Sequence, residues 1–319
     1  MKPASIIFLI LAVLLVGGGF GTMRIAENLA AKEGIELVSE SDEDTGDYIY
    51  TYDYSEDSID KIVVNVRSAD IHIIGGAQKS YIELINFPDG MYEFQCSNRI
   101  MQISNNSDIS SLNTIMSLAM NFKGVRGIIN YYNVMGRDMA VNIYIQDELP
   151  VKILDCTTVE GNILAENTNS QTDYNIKIGT GSFNASGVAT TSTISVEVGS
   201  GEVILTDCSA INFKASVDDG DVTLITSDMN KITAELENGD FVYGYRRDIQ
   251  YVKCDLFCGV GSVTIDGDNK GGYYEFSNLP TDALYKVTTG KGDITINSNM
   301  LPEAEPEDTS TDLFALYKE

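Results

Sequence analysis

A short glycine turn that returns about every twenty residues constrains this chain more than any other feature. It occurs as Gly161-Asn162, Gly181-Ser182, Gly201-Glu202, Gly220-Asp221, Gly239-Asp240, Gly261-Ser262 and Gly292-Asp293, with spacings of 20, 20, 19, 19, 22 and 31. Aligned on that glycine, five columns are almost wholly apolar. Seven before it stand Leu154, Tyr174, Ile194, Phe213, Ile232, Cys254 and Tyr285. Five before stand Cys156, Ile176, Val196, Ala215, Ala234, Leu256 and Val287. The columns three before, two after and four after begin Thr158, Ile163 and Ala165 and continue in the same way. Residues between the columns are mostly polar. Alternation of period two on both sides of a turn predicts two short strands per repeat, each with one buried face. The glycine supplies a positive φ at the turn.

Five buried side chains do not offset the cost of ordering some twenty residues. Such repeats therefore fold only by stacking, so that each shares backbone hydrogen bonds with its neighbours and covers their side chains. The expected fold class is all-β, a β-solenoid or β-helix-like stack of two-strand repeats. The pattern extends backwards. Ile62, Val64, Val66, Ala69, Ile71 and Ile73 fit the columns with Ala69 in the glycine's place. Tyr92, Phe94, Cys96, Arg99, Met101 and Ile103 fit with Arg99 there, and Val141, Ile143 and Ile145 make a half coil. One domain over 47–298 is expected.

Two segments break the rhythm. Residues 107–139 carry Ile109, Leu112, Ile115, Met116 and Leu118 at helical spacing, which fits a capping helix over an exposed end, or else an insertion that binds a partner or touches a membrane. Residues 266–284 hold Gly271-Gly272-Tyr273-Tyr274 before the final repeat. Outside the repeats, Lys2 is followed by 21 uncharged residues up to Arg24, with Ile6 to Val16 continuously apolar. That is enough for one transmembrane helix over 1–23, the alternative being a cleaved signal peptide. Either reading exports the remainder, so the expected location is a single-pass cell-membrane protein with its bulk extracytoplasmic. Residues 24–46 read as an acidic linker and 299–319 as an acidic disordered tail.

The formal charge is −26, from 47 acidic and 21 basic residues. Nucleic acid is excluded as a partner on that balance. Trp is absent and His72, between Ile71 and Ile73, falls on the outer face. His-based triads and zinc sites have little to work with. The five cysteines, Cys96, Cys156, Cys208, Cys254 and Cys258, are odd in number, and all but Cys208 occupy core columns; buried free thiols are expected there. Glu202, Asp221 and Asp240 each follow a turn glycine, with Asp219 beside them, so stacked coils bring these carboxylates about 5 Å apart. Two readings follow: a Ca²⁺-bridged edge, or a solvated acidic edge that keeps the chain soluble. No other cofactor is expected. Paired acids on such an edge also suit polysaccharide cleavage, but Arg246 and Arg247 follow Tyr243–Tyr245 without a clear partner, and no catalytic residues are assigned.

The apolar N-terminus followed by ISVEVGSGEVIL at 194–205, FKASVDDGDVTL at 213–224 and YKVTTGKGDITI at 285–296 resembles the bacterial putative adhesin family, a domain of unknown function with β-strand repeats. VNIYIQDELPVKILDCTTVEGN at 141–162 is similar to the segment that leads into that family's repeats. The resemblance covers about 60–298, and the insertion at 107–139 departs from it. It implies a surface-exposed, non-catalytic solenoid linked to adhesion or envelope stress, with no catalytic residues to carry over. The expected function is a non-enzymatic surface protein that binds or senses an envelope component. The alternative is a structural spacer or assembly element. Ligand and oligomeric state are not legible here.

Overall fold

Every residue of the five columns is buried, and the backbone between them runs as strands that stack in parallel, coil upon coil. The computed structural model describes residues 49–54, 59–87, 92–105, 137–147, 151–245, 251–277 and 280–298. These residues form strands and turns with no α-helix, and none of them forms a helix able to cross a membrane. The expected anchor 1–23, the linker 24–46, the tail 299–319 and nearly all of the insertion 107–139 lie outside them.

Each coil has a long arm before its glycine and a short arm after it. In the Gly181 coil these are Asp173–Thr180 and Phe183–Ser186. In the parallel ladder long arms pair with long arms, column on column: Leu154 faces Ile62 and Tyr174, Ile194 faces Tyr174 and Phe213, and Ile232 faces Phe213 and Tyr285. Short arms pair likewise, Phe183 lying between Ile163 and Val203. The two sheets face each other across the core. Because each parallel partner is offset by one whole coil, like residues stack on like and the columns become continuous internal ladders.

The glycine is required twice over. All seven turn glycines have φ between 137° and 149°, a region that L side chains rarely enter. In addition, a Cβ on Gly181, Gly201, Gly220, Gly239, Gly292 or Gly261 would lie far inside contact distance of the carbonyl oxygen of the neighbouring turn glycine. Ala69 takes the same place without a positive φ. On its outer side lies a coil made of Ile100–Asn105 and Ala140–Tyr144, two strands that are far apart in sequence and not joined by a short glycine turn.

Sequence reading expected one corner and two strands per repeat; the coils have a second corner. Six residues after the glycine, Asn167, Gly187, Asp207 and Thr226 are left-handed, with φ of 51°, 64°, 53° and 48°. Asn, Gly and Asp tolerate that conformation. A third short strand follows in the Gly161 and Gly181 coils, at Asn169–Ser170 and Ala189–Thr190, and Thr168, Val188 and Cys208 point into the core there.

The order of coils in space departs from the order in sequence at both ends. The Gly292 coil lies between the Gly239 and Gly261 coils, so the last repeat of the chain is not the last of the stack. After the Gly261 coil the chain turns back as antiparallel strands Asp268–Gly271 and Tyr273–Phe276, then returns to fill the gap. At the other end Ala140–Tyr144 slots between Asp70–Ile74 and the antiparallel strand Tyr81–Ile85. Here the expected Arg99 coil is corrected. Glu93–Ser97 and Ile100–Asn105 are an antiparallel hairpin within one sheet, turned by Asn98 and Arg99 at φ 51° and 63°. Met101 and Ile103 do join the columns, opposite Ile62 and Val64.

The ends of the core are closed by aromatics on antiparallel strands. Tyr52 of Ile49–Asp53 stacks on Phe94 of the facing sheet at 3.8 Å between centroids, and the Tyr52 and Tyr92 hydroxyls lie 3.1 Å apart. At the opposite end Tyr274 and Phe276 lie over Leu256 and Cys254.

Four cysteines are buried, and burial pushes their thiols up, Cys208 to about 11 and Cys254 to about 12. Cys96, expected in the core, is exposed, because its strand is the outer member of the hairpin and not an arm of a coil. Conversely Cys208, which fell outside the expected columns, is buried at the second corner.

Two outcomes are expected. Gly201→Ala costs more than about 3 kcal/mol, since left-handed strain and a backbone clash add. Gly76→Ala, at φ 67° with nothing within 4 Å of the added carbon, costs only about 1–2 kcal/mol. Urea unfolding of the two variants measures the difference. With an aromatic disulfide reagent the native chain titrates one thiol, Cys96, and the unfolded chain all five.

Candidate functional site

The residues that follow the turn glycines form one edge of the stack, and their side chains form a hydrogen-bonded ladder along it. Asp221 Oδ1 accepts the backbone N–H of Asp240 at 2.7 Å, Asp240 Oδ1 that of Asp293 at 2.7 Å, and Asp293 Oδ1 that of Ser262 at 2.7 Å. On the other half of the stack Asp70 serves Asn162 at 2.7 Å, Asn162 serves Ser182 at 3.0 Å, and Ser182 Oγ serves Glu202 at 3.3 Å. Each short side chain thus satisfies a turn N–H of the next coil, for which the corner provides no carbonyl. No bond from the Glu202 carboxylate continues the ladder to Asp221. Glutamate is one methylene longer than the aspartate or asparagine used elsewhere, and serine is shorter still.

This places the four carboxylates proposed for Ca²⁺ as follows. Asp221 and Asp240 are adjacent rungs, each with one oxygen on a backbone amide. Glu202 is one rung away, at the break. Asp219 precedes its turn, exposed, and is outside the ladder. The coil next to Asp240 carries Asp293. Among the described residues no three His, Cys, Asp or Glu side chains converge as a metal-binding group. His72 lies half-buried on the outer face, as its neighbours imply.

A second feature was not anticipated. The outer face of the long-arm sheet carries an open depression of about 350 Å³ across the Gly161, Gly181, Gly201 and Gly220 coils. Its floor is bare where Gly179 and Gly199 stand two residues before their turns, the place held by Val159 and Asp218 in the flanking coils. These glycines are fixed by packing, since a Cβ on either would come within 2.6 Å of a carbonyl oxygen of the neighbouring coil. The register is unbroken there: Ile178 and Thr180 pair with Val198 and Ser200, and position 179 makes no pairing of its own, as at the equivalent position of the other coils.

The walls are polar. Lys177 Nζ and Glu197 Oε2 are 2.8 Å apart, and the Glu197 carboxylate holds the Lys177 ammonium above its ordinary value. Thr157 and Ser216 offer hydroxyls, and Asp218 stands at one end. The geometry suits an extended polar chain lying across the strands. It holds one acid paired with one base, and no cluster of groups poised for proton transfer. The signal in the sequence was the pair of GxG turns, Gly179-Thr180-Gly181 and Gly199-Ser200-Gly201, whose first glycines are not needed for the corner.

A family model described as Toastrack DUF4097 matches residues 59–297. Three of the solved structures matched by the chain are as follows. A putative cell adhesion protein from Clostridium sporogenes ATCC 15579 is 14% identical over 80% of this chain and 100% of its own, with a TM-score of 0.37. A putative adhesin from Bacteroides fragilis NCTC 9343 is 14% identical over 79% and 97%, with a TM-score of 0.41. A putative lipid binding protein from Parabacteroides distasonis ATCC 8503 is 11% identical over 80% and 98%, with a TM-score of 0.37. No curated protein matches the chain. The family model spans the repeats from the first buried residue of the Ala69 coil's approach to the last strand, and on that match the chain belongs to the Toastrack DUF4097 family.

Proposed function

We propose that the chain is a non-enzymatic surface module that holds an extended polar ligand of the cell envelope or its surroundings against the outer face of its long-arm sheet. The observation that carries this reading is the glycine-floored depression. It is open, lined by hydroxyls and one ion pair, and crosses four coils of a rigid stack. Catalytic sites as a rule combine a concave pocket with titratable groups of shifted protonation. Here no three of the acids converge among the described residues. The family match and the resemblance to putative adhesins support a binding role for the fold as a whole.

In this reading residues 1–23 anchor the chain in the cell membrane, 24–46 hold the repeats away from it, and the bulk is extracytoplasmic. The turn edge serves the fold: its carboxylates bond the next coil's amides, which favours the solvated edge over a Ca²⁺ bridge. A spacer or assembly role remains the second reading, favoured by the edge strands Ile49–Asp53 and Tyr273–Phe276, each paired on one side only among the described residues.

Binding of the full chain to an array of envelope glycans tests the proposal. Lys177→Ala combined with Glu197→Ala is expected to lower binding to whichever glycan is retained, while the melting temperature stays within a few degrees, because an exposed ion pair is worth about 0–1 kcal/mol. Unchanged binding by that variant moves the site elsewhere, and self-association without glycan binding favours the assembly role. On the turn edge, Asp240→Ala loses about 1 kcal/mol and Asp240→Asn less than half of that, since asparagine keeps the acceptor. Added Ca²⁺ or chelator leaves the melting temperature of the parent unchanged; a calcium-dependent rise of several degrees restores the bridged edge.

A further inference from the structure

In a chain with a formal charge of −26, positive side chains outside ion pairs are conspicuous. Five bases among the described residues have a carboxylate within ion-pair reach. Lys61 pairs with Asp155, Lys152 and Arg99 with Asp60, Lys177 with Glu197, and Lys270 with Asp268. Lys214, Lys231, Lys286 and Lys253 form no salt bridge among the described residues. All four project from the outer face of the long-arm sheet, on four strands that are consecutive in space.

The register makes them a regular pattern. Lys231 pairs across to Leu284, and Leu284 to Lys253; two residues along, Lys214 pairs to Thr233, and Thr233 to Lys286. The lysines therefore alternate between two rows from strand to strand. One strand spacing and two residues of rise separate each from the next, a step of about 8 Å between Cα atoms. That is close to the Debye length of about 8–10 Å, so the four charges act on an anion together. The zigzag runs along the stack, across the strands. The order in sequence hides it, because Lys286 comes to lie between Lys231 and Lys253 only through the displaced Gly292 coil.

Acidic residues bound the stripe. Glu235, Glu237 and Asp218 stand further along the same strands, and Asp255 is level with Lys286 on the outermost one. A flat anionic surface laid on this face would meet those carboxylates as well as the lysines. A single narrow chain following the zigzag meets the four lysines and one carboxylate, Asp255. Leu284 and Phe257, both exposed beside the stripe, add apolar contact for sugar ring faces.

We propose that Lys214, Lys231, Lys286 and Lys253 form the binding stripe for a linear anionic polysaccharide, one that carries a carboxylate or sulfate on its repeating sugars. The proposal rests on the binding-module reading and names a ligand class for the same sheet face. Titrating the full chain with polygalacturonate and with heparin, with dextran as the neutral control, is expected to show binding of the two charged polymers at low salt and its loss as salt rises. Lys231→Gln with Lys286→Gln weakens that binding about tenfold or more, while Lys79→Gln with Lys270→Gln, which changes net charge equally, leaves it within about twofold. Circular dichroism melting checks that both variants fold.

Equal losses in the two double variants, or no binding of either polymer by the parent, overturn the proposal. So does preference for anionic vesicles or a single-stranded oligonucleotide over both polymers, or binding that appears only when residues 299–319 are removed, which assigns the stripe to the acidic tail. If dextran and neutral envelope glycans still bind, the stripe alone has failed; a chain inert to every glycan sinks the binding-module reading too.

Discussion

The close approach of one turn glycine to the carbonyl of the next governs this fold. At that corner the backbones of neighbouring coils come nearer than any side chain allows, and the φ required there is one that glycine alone adopts at little cost. Once the corners nest, the strands on either side are set in register with their counterparts a coil away. The apolar columns then meet without offset. The aspartate, asparagine or serine that follows the glycine completes the nesting by accepting an amide of the next coil. One local geometry, repeated, thus sets both the hydrogen bonding and the packing.

A stack of identical corners has no natural end, and its terminal strands offer unpaired backbone to any passing strand. The chain deals with this by reversing direction. At each end antiparallel strands replace the parallel ladder, and their aromatic residues lie across the core: Tyr52, Tyr92 and Phe94 at one end, Tyr274 and Phe276 at the other. Most outward positions of the long-arm sheet, in contrast, are free to vary between coils, because they take no part in the ladder; Gly179 and Gly199, pressed against carbonyl oxygens of the neighbouring coils, are the exception. The bare floor at Gly179 and Gly199 and the lysine zigzag both arise on that face.

What the sequence made legible follows from this division. The five columns were plain because each is measured from a glycine that cannot change. The second corner was not, since Asn167, Gly187, Asp207 and Thr226 share a backbone conformation but no side-chain type. The hairpin at Asn98-Arg99 passed for a coil because an antiparallel turn preserves period-two alternation, and only the pairing direction tells the two apart. Cys96 was misplaced for the same reason. The spatial order of coils leaves no trace in the columns, as any coil presents the same ladder to any neighbour. The carboxylates of the turn edge were found, but their hydrogen-bonding role depends on reach: aspartate extends as far as the next amide, and at Glu202 the ladder breaks. The depression was overlooked because its mark is missing side chains.

The late insertion of the Gly292 coil also bears on how the protein is made. As synthesis proceeds from the N-terminus, the Gly239 coil can add directly to those before it. The Gly261 coil cannot, because the strands it must lie against are residues 284–298, which have yet to emerge. It waits with only its own antiparallel strands for company until the last repeat arrives and wedges home between two partners already present. The Gly292 coil is therefore a keystone: its ladders to two partners complete the stack in one step, and residues up to 298 must have left the ribosome before this end of the stack can close.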